Sequence, residues 1–379
     1  MKIGLFLTYD YSLSTWNESG TLERELKLFN ELKNQKNVNF IIFTYGNEKD
    51  YNFHNFSFDF ELVPIYSLIK YRKNSFLRYL SSFFIPLKLK THIKKIDILH
   101  QNQLMGSWVT ILCSLLYKKP LYIRTGYDMY TFAIYENKKK YIIKLYKLLT
   151  SLALKYASLY TVTSKSDFNF LTSNFLFDYN KLVLRKNWVK ASSKNSLSTF
   201  SNRVLSVGRL CYQKNYEYLL SEFKNTNEII QLDIVGAGKN LEILENMAKN
   251  FNVKVNFLKK MDNSSLLDLY KEYKFYISPS RFEGNPKTVL EAMSSGCVVL
   301  VSNIPNHTEI VSNQINGILF DLVPGSLKSE FDKLFANQEK INSIKLNSIE
   351  TVKKRYNLET LINKTFEDYI NLSYLSSKK

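Results

Sequence analysis

From about residue 200 onward, short β-branched and aromatic runs alternate with helix-like stretches, and most runs close on a turn residue. The strand-like runs lie at 203–207, 232–235, 255–258, 275–277, 298–301 and 318–320. Such alternation builds a parallel sheet with helices packed over it. The first half carries the same pattern more loosely, with runs at 2–8, 40–44, 96–100, 121–124, 159–163 and 182–184. Leu22, Leu26 and Phe29 then mark one apolar face of the helix after the first run.

A chain of 379 residues is too long for one ordinary core. The expected fold class is therefore α/β, with two Rossmann-like doubly wound domains facing a central cleft. The divisions fall at 1–189 and 202–340, joined by a Ser/Asn/Lys-rich linker at 190–201. The tail at 341–379 is helical by pattern, and either caps the second domain or crosses back to the first. Two sheets joined in this way place a ligand cleft at the carboxyl ends of their strands.

Composition removes several classes. Hydrophobic residues make up 45% and charged residues 23%, which is globular and rules out wholesale disorder. Cys113, Cys211 and Cys297 form no pairing pattern and read as small buried residues in a reducing, cytoplasmic compartment. Four scattered histidines argue against a zinc site. The first residues lack the features of a signal peptide. No apolar stretch reaches the roughly 18–20 residues needed to span a bilayer.

The most informative segment is SPSRFEGNPKTVLEAMSSG, at 278–296. It starts where a strand ends, turns at Glu283-Gly284, and opens a helix with Asn285 as cap and Pro286 in the first position. Gly296 follows the last turn. A helix starting at a strand's carboxyl end offers amides and a positive dipole end to a phosphate. Glu291 lies within an apolar stripe, where a carboxylate either accepts hydroxyls such as those of a ribose or sits solvated on the helix face. A second strand closes at Val207-Gly208, and Arg209 and Lys214 flank the next helix start. They are either surface cations or a clamp on a diphosphate. Gly236-Ala237-Gly238 makes a tight strand-to-helix turn that allows close backbone approach to a ligand, without the third glycine of a dinucleotide fingerprint.

VGRLCYQKN, IVGAG and then SPSRFEGNPKTVLEAMSSG, in this order, resemble the family 4 retaining glycosyltransferases of the GT-B fold. Glu283 and Glu291, with seven residues between, match that family's EX7E motif. The likeness covers most of 202–322 and is looser before it. It implies a UDP- or GDP-linked sugar donor, a glycan or lipid-linked acceptor, retention at the anomeric carbon, and neither cofactor nor metal. Arg209 and Lys214 would neutralise the diphosphate, Glu291 would hold the ribose, and Glu283 would contact the donor sugar. Amides of Gly284, Asn285 and Lys287, with Thr288, would cradle the distal phosphate; Gly208 and Gly236 would border the donor. The base would lie near 258–261, beside Lys260. Thr125 stands where many relatives carry a histidine, and Arg124 or Asp128 would take over part of its task. Nucleotide-sugar epimerases share the fold, and a non-catalytic sugar- or lipid-binding protein is a further alternative. The Glu spacing speaks against the first, and Arg209, Lys214 and Glu291 against the second.

The net charge is +18, which calls for an anionic partner. Between residues 66 and 95 stand eight Lys or Arg and no Asp or Glu, interleaved with Tyr71, Phe76, Tyr79, Phe83 and Phe84. A second such segment runs through Lys138, Lys139, Lys140, Tyr141, Lys144, Tyr146 and Lys147. Mixed aromatics and lysines suit either an anionic membrane surface or a solvated basic face. No nucleic-acid-binding motif is present. The remaining features read mainly as structural: 306–309 has capping-box spacing, and His100, which ends a strand, is either a satisfied structural histidine or points into the cleft.

Overall fold

The computed structural model describes residues 1–55, 60–189, 200–224 and 231–377. The chain forms two compact units. The first comprises Met1–Arg185 with Leu361–Lys379, and the second Lys186–Thr360.

In the first unit, β1 (Lys2–Phe6), β2 (Asn39–Thr44), β3 (Glu61–Pro64), β4 (Ile98–Asn102), β5 (Leu121–Arg124), β6 (Leu159–Val162) and β7 (Leu182–Leu184) form one sheet. Its order is β3-β2-β1-β4-β5-β6-β7, and every pairing is parallel. Strand order reverses between β1 and β4, as in a doubly wound sheet. Both faces are covered, so the strands are apolar almost throughout: Ile3, Leu5, Phe6, Ile41, Phe43 and Leu99 are buried. β3 was not apparent in the sequence. It is a short edge strand that ends in Pro64, where a missing N–H is tolerated.

The second unit repeats the design with β8 (Phe200–Val207), β9 (Gln231–Val235), β10 (Val255–Leu258), β11 (Tyr273–Ser278), β12 (Val298–Ser302) and β13 (Ile318–Phe320). Its parallel order is β10-β9-β8-β11-β12-β13, reversing between β8 and β11. Two doubly wound parallel sheets are thus the architecture, as the strand–helix alternation requires. Of the expected linker, 190–199 lies outside the described residues, while Phe200 and Ser201 belong to β8.

The helical tail is two elements. Gln338–Arg355 packs against the Lys287–Ser294 helix of the second unit. Leu358–Ser377 runs on, and from Leu361 it belongs to the first unit. There Asp368 accepts a forked pair of hydrogen bonds from Arg185, at 2.8 and 2.5 Å. The Tyr369 hydroxyl sits 2.5 Å from Nδ1 of His100. His100 is a mid-strand residue of β4 and fully buried, which drives its pKa down to about 3. All three cysteines are free. Cys113 and Cys297 are buried, but Cys211 is partly exposed, because it opens a surface turn.

Candidate active site

The carboxyl ends of four neighbouring strands, β10, β9, β8 and β11, carry the second-unit residues that the sequence singles out for the donor. β8 runs into Gly208 and Arg209, and a short turn of helix at Tyr212–Lys214 presents Gln213 and Lys214. Asn215 closes that turn in the left-handed region, at φ 54°, a conformation Asn tolerates. The next helix, Tyr216–Glu222, then starts with its apolar face in the core.

β11 ends at Ser278, and its following loop folds back onto this turn. Lys214 Nζ lies 2.5 Å from Glu283 Oε1. The same carboxylate accepts Ser280 Oγ at 2.6 Å and Gln213 Nε2 at 3.2 Å. Gln213 also donates to the Phe282 carbonyl and accepts from Arg209 Nη2 at 3.0 Å. Backbone joins the two loops as well, with Arg281 N donating to the Gln213 carbonyl at 2.8 Å. Burial by itself raises the Glu283 carboxyl; Lys214 and the hydrogen bonds to it overturn that effect and hold it below the ordinary carboxylate range. The result is a buried anion with a cation attached, beside an exposed Arg209.

The helix after the loop is Lys287–Ser294. Pro286 occupies its cap position and no side chain caps it, so the expected Asn285 cap is not formed. The Asn285 carbonyl instead accepts Asn187 Nδ2 at 3.1 Å, and the Gly284 carbonyl accepts Asn306 Nδ2 at 2.5 Å. These two asparagines fix the turn's carbonyls and leave the helix start without a side-chain acceptor, the arrangement that suits an anion. Lys287 sits over the Trp188 ring at 5.2 Å, and Thr288 follows in the first turn. Gly296 has φ 89° just past the helix, as a C′ residue should.

Glu291 is 2% exposed, which excludes the solvated-face reading. Its Oε1 accepts Asn263 Nδ2 at 3.1 Å, from the helix that follows β10. Lys260 is an exposed side chain on the loop between β10 and that helix. Gly236 approaches protein rather than open space. A Cβ there would overlap the Gly208 carbonyl oxygen, and one at Gly238 would overlap that of Leu210. The glycines therefore let the β9 turn lie directly against the β8 turn.

Asp128 belongs to the first unit and caps the Met129–Tyr135 helix, accepting Thr131 N at 2.6 Å and Thr131 Oγ1 at 2.7 Å. Burial raises its carboxyl despite those bonds. Its side chain caps that helix, and it belongs to a different unit from the residues clustered at the ends of β8 and β11. Thr125, buried in the same unit, donates its N–H to the Thr161 carbonyl. The expected capping box at 306–309 is also absent. The helix there is Pro305–Thr308, its cap position is Ile304, and Asn306 serves Gly284 instead.

Gln213, Ser280, Asn306, Asn187 and Asn263 were not apparent as site residues in the sequence. Of these only Gln213 carried a signal, since it lies between the two singled-out cations. His307 is fully buried, shares Nδ1 with the Ser302 carbonyl at 2.9 Å, and is driven by burial to a pKa of about 4.

Residues 190–351 match the glycosyl transferases group 1 family. The group 1 match contains every second-unit residue of this site except Asn187 and Trp188. Among curated relatives, an uncharacterised glycosyltransferase of Methanocaldococcus jannaschii is 30% identical over 44% of this chain and 44% of its own. The capsular polysaccharide biosynthesis glycosyltransferase CapH of Staphylococcus aureus is 25% identical over 69% and 76%. An Escherichia coli UDP-Gal:α-D-GlcNAc-diphosphoundecaprenol α-1,3-galactosyltransferase is 25% identical over 60% and 63%. The match spans 42–64% of the length of the first three curated relatives. Solved structures cover nearly the whole chain. Sucrose-phosphate synthase of Thermosynechococcus elongatus superposes with TM-score 0.78 at 14% identity, over 98% of this chain and 99% of that one. HepE of Anabaena, solved with UDP and glucose, gives 0.73 at 15%, over 98% and 100%. The likeness shows the fold, which is GT-B.

Proposed function

We propose that the protein is a retaining glycosyltransferase of family 4. It moves a hexosyl group from a UDP- or GDP-linked donor to a hydroxyl of a glycan or lipid-linked glycan in surface polysaccharide or lipopolysaccharide assembly. The observation that carries this is the buried Lys214–Glu283 pair, tied through Gln213 to Arg209 at the end of β8.

In the transfer, the bond between the anomeric carbon and the diphosphate oxygen breaks. Negative charge then grows on the departing nucleotide, and the acceptor oxygen bonds to the anomeric carbon as its proton passes to the departing phosphate oxygen. Stabilising the leaving charge is the main demand on the protein. Lys214 has three donors, of which Glu283 takes one, so the ammonium can also face a phosphate. Arg209 adds a forked donor whose orientation Gln213 fixes. The uncapped start of the Lys287–Ser294 helix serves the distal phosphate. Glu291, buried and oriented by Asn263, is suited to the ribose hydroxyls. Glu283 is held ionised beside the donor sugar. With charge met by side chains and helix amides, the reaction as proposed uses no divalent ion.

The capsule and lipid-linked relatives support the acceptor class, and HepE's UDP and glucose support the donor class. The test is thermal stabilisation of the full chain by UDP, GDP and their sugars, followed by transfer assays with the stabilising donor in excess EDTA. At least one nucleoside diphosphate should raise the melting point, and Lys214→Ala should remove most of that rise. Product NMR should show the donor's anomeric configuration. If no nucleotide stabilises the protein, or Lys214→Ala binds as well as the parent, the reading fails.

A further inference from the structure

On the Lys140–Tyr156 helix of the first unit, Tyr141, Leu145, Leu148 and Leu152 recur at the spacing of a single helical face. All four are exposed, Tyr141 at 66% and Leu148 at 57%. The other side of the helix carries Leu149, Ala153 and Leu154, which are buried. The helix is therefore apolar on two sides, and packing among the described residues uses only one of them.

Neighbouring helices widen the surface. Ser107–Tyr117 packs against both the Lys140–Tyr156 helix and Ile85–Lys88, with the Tyr117 hydroxyl donating to the Pro86 carbonyl at 2.9 Å. Leu115 and Leu116 on the one side, and Phe84 and Leu87 on the other, are each more than half exposed. Exposed apolar side chains concentrated on helices that pack together mark an interaction site. Not every residue of the basic-aromatic segments joins it. Arg78 is paired with Asp10 at 2.8 Å, and Tyr79 packs on Trp108.

Charge selects the occupant. Residues 137–166 and 66–96 contain no Asp or Glu. Exposed Lys140, Lys144, Lys147 and Lys155 flank the leucine stripe, and exposed Lys88, Lys90, Lys94 and Lys95 follow on the neighbouring segment. A second copy of the chain would bring like charges together. A nucleic acid would satisfy the lysines and leave the leucines wet. The interface of an anionic bilayer takes both, because leucine and tyrosine enter the headgroup–acyl boundary while lysines extend to the phosphates. We infer that this face of the first unit docks on an anionic lipid bilayer, with the stripe from Tyr141 to Leu152 inserted. No residue of the nucleotide site takes part, so the inference stands or falls separately from the proposed activity.

The experiment is co-sedimentation of the full chain with vesicles of phosphatidylcholine alone, or mixed with phosphatidylglycerol, at low and high salt. Binding is expected only with phosphatidylglycerol, and weaker as salt screens the lysines. Leu145→Ser/Leu148→Ser should weaken it about tenfold or more, from the apolar surface no longer buried. Lys140→Glu/Lys144→Glu should weaken it by at least about tenfold. The four side chains are exposed, so both variants should keep the parental melting point and any nucleotide stabilisation. Three results would overturn the inference: no binding to phosphatidylglycerol vesicles at low salt, unchanged binding by both variants, or a dimer in sedimentation velocity that Leu145→Ser/Leu148→Ser dissociates.

Discussion

The Lys214–Glu283 pair makes a residue-scale test possible without any substrate. Both side chains are mostly buried, and Glu283 is further held by Ser280 and Gln213. Lys214→Met leaves a buried carboxylate without its cation, a change that costs about 3–5 kcal/mol in comparable pairs. In the parent, the folded pKa of Glu283 lies below its unfolded value, so the pair stabilises the protein at neutral pH and this contribution fades as pH falls through the folded value. In the variant, burial is opposed only by the Ser280 and Gln213 hydrogen bonds and by His307, so the carboxyl rises above its parental value and acid costs the variant less than the parent. The stability gap between parent and variant should therefore narrow from pH 7.5 to pH 4.5 in urea melts, a gap constant with pH being the contrary result. Arg209, Lys214, Glu283 and Glu291 could be read from sequence because charged residues at strand ends or in an apolar stripe demand a reason. Asn306 could not, because its partner Gly284 is twenty-two residues away and nothing local distinguishes it from a cap.

At the scale of elements, strands were legible where both faces are buried, since an unbroken apolar run then has few other uses. β12, at Val298–Ser302, extends its expected run by a single residue, whereas the edge strand β3 gave no such run. Turns were legible as turns but not in purpose. Gly236 read as an approach to a ligand, yet its Cα faces the Gly208 carbonyl. That contact predicts an outcome for Gly236→Ala. The new methyl meets backbone on a turn that also receives Gly208 N–H at the Val235 carbonyl and donates Gly236 N–H to Leu258. No side-chain rotation relieves it, so the β8 and β9 turns must separate. Thermal melts should show a destabilisation of about 1–3 kcal/mol, and nucleotide stabilisation should fall with it because Arg209 rides on the displaced turn. An alanine variant with parental melting point and nucleotide response would mean that the turn accommodates the methyl without moving Arg209.

Among the described residues each unit carries one fully buried histidine, and both weaken the protein in acid. His100 is enclosed among Phe29, Tyr122 and Tyr369, and burial lowers its pKa to about 3. His307 Nδ1 donates to the Ser302 carbonyl at 2.9 Å and lies 3.2 Å from the Ser302 hydroxyl, and burial lowers its pKa to about 4. Both are neutral when folded. Once unfolded they recover an ordinary value near 6.5, so the unfolded chain takes up protons first. Their contribution is complete above about pH 6.5 and is lost as pH falls toward the folded values. For His307 alone the loss by pH 4 is roughly 3 kcal/mol, large against the few kcal/mol by which domains are stable. Sequence could place neither effect, because burial of an isolated histidine depends on what the fold lays over it. His307→Gln should flatten the acid limb of the second unit's transition and His100→Gln that of the first. A nucleotide that binds the second unit identifies its transition in calorimetry by shifting it alone. If the midpoints of both variants fall from pH 6.5 to 4 as steeply as the parent's, the histidines are not the groups that take up the protons.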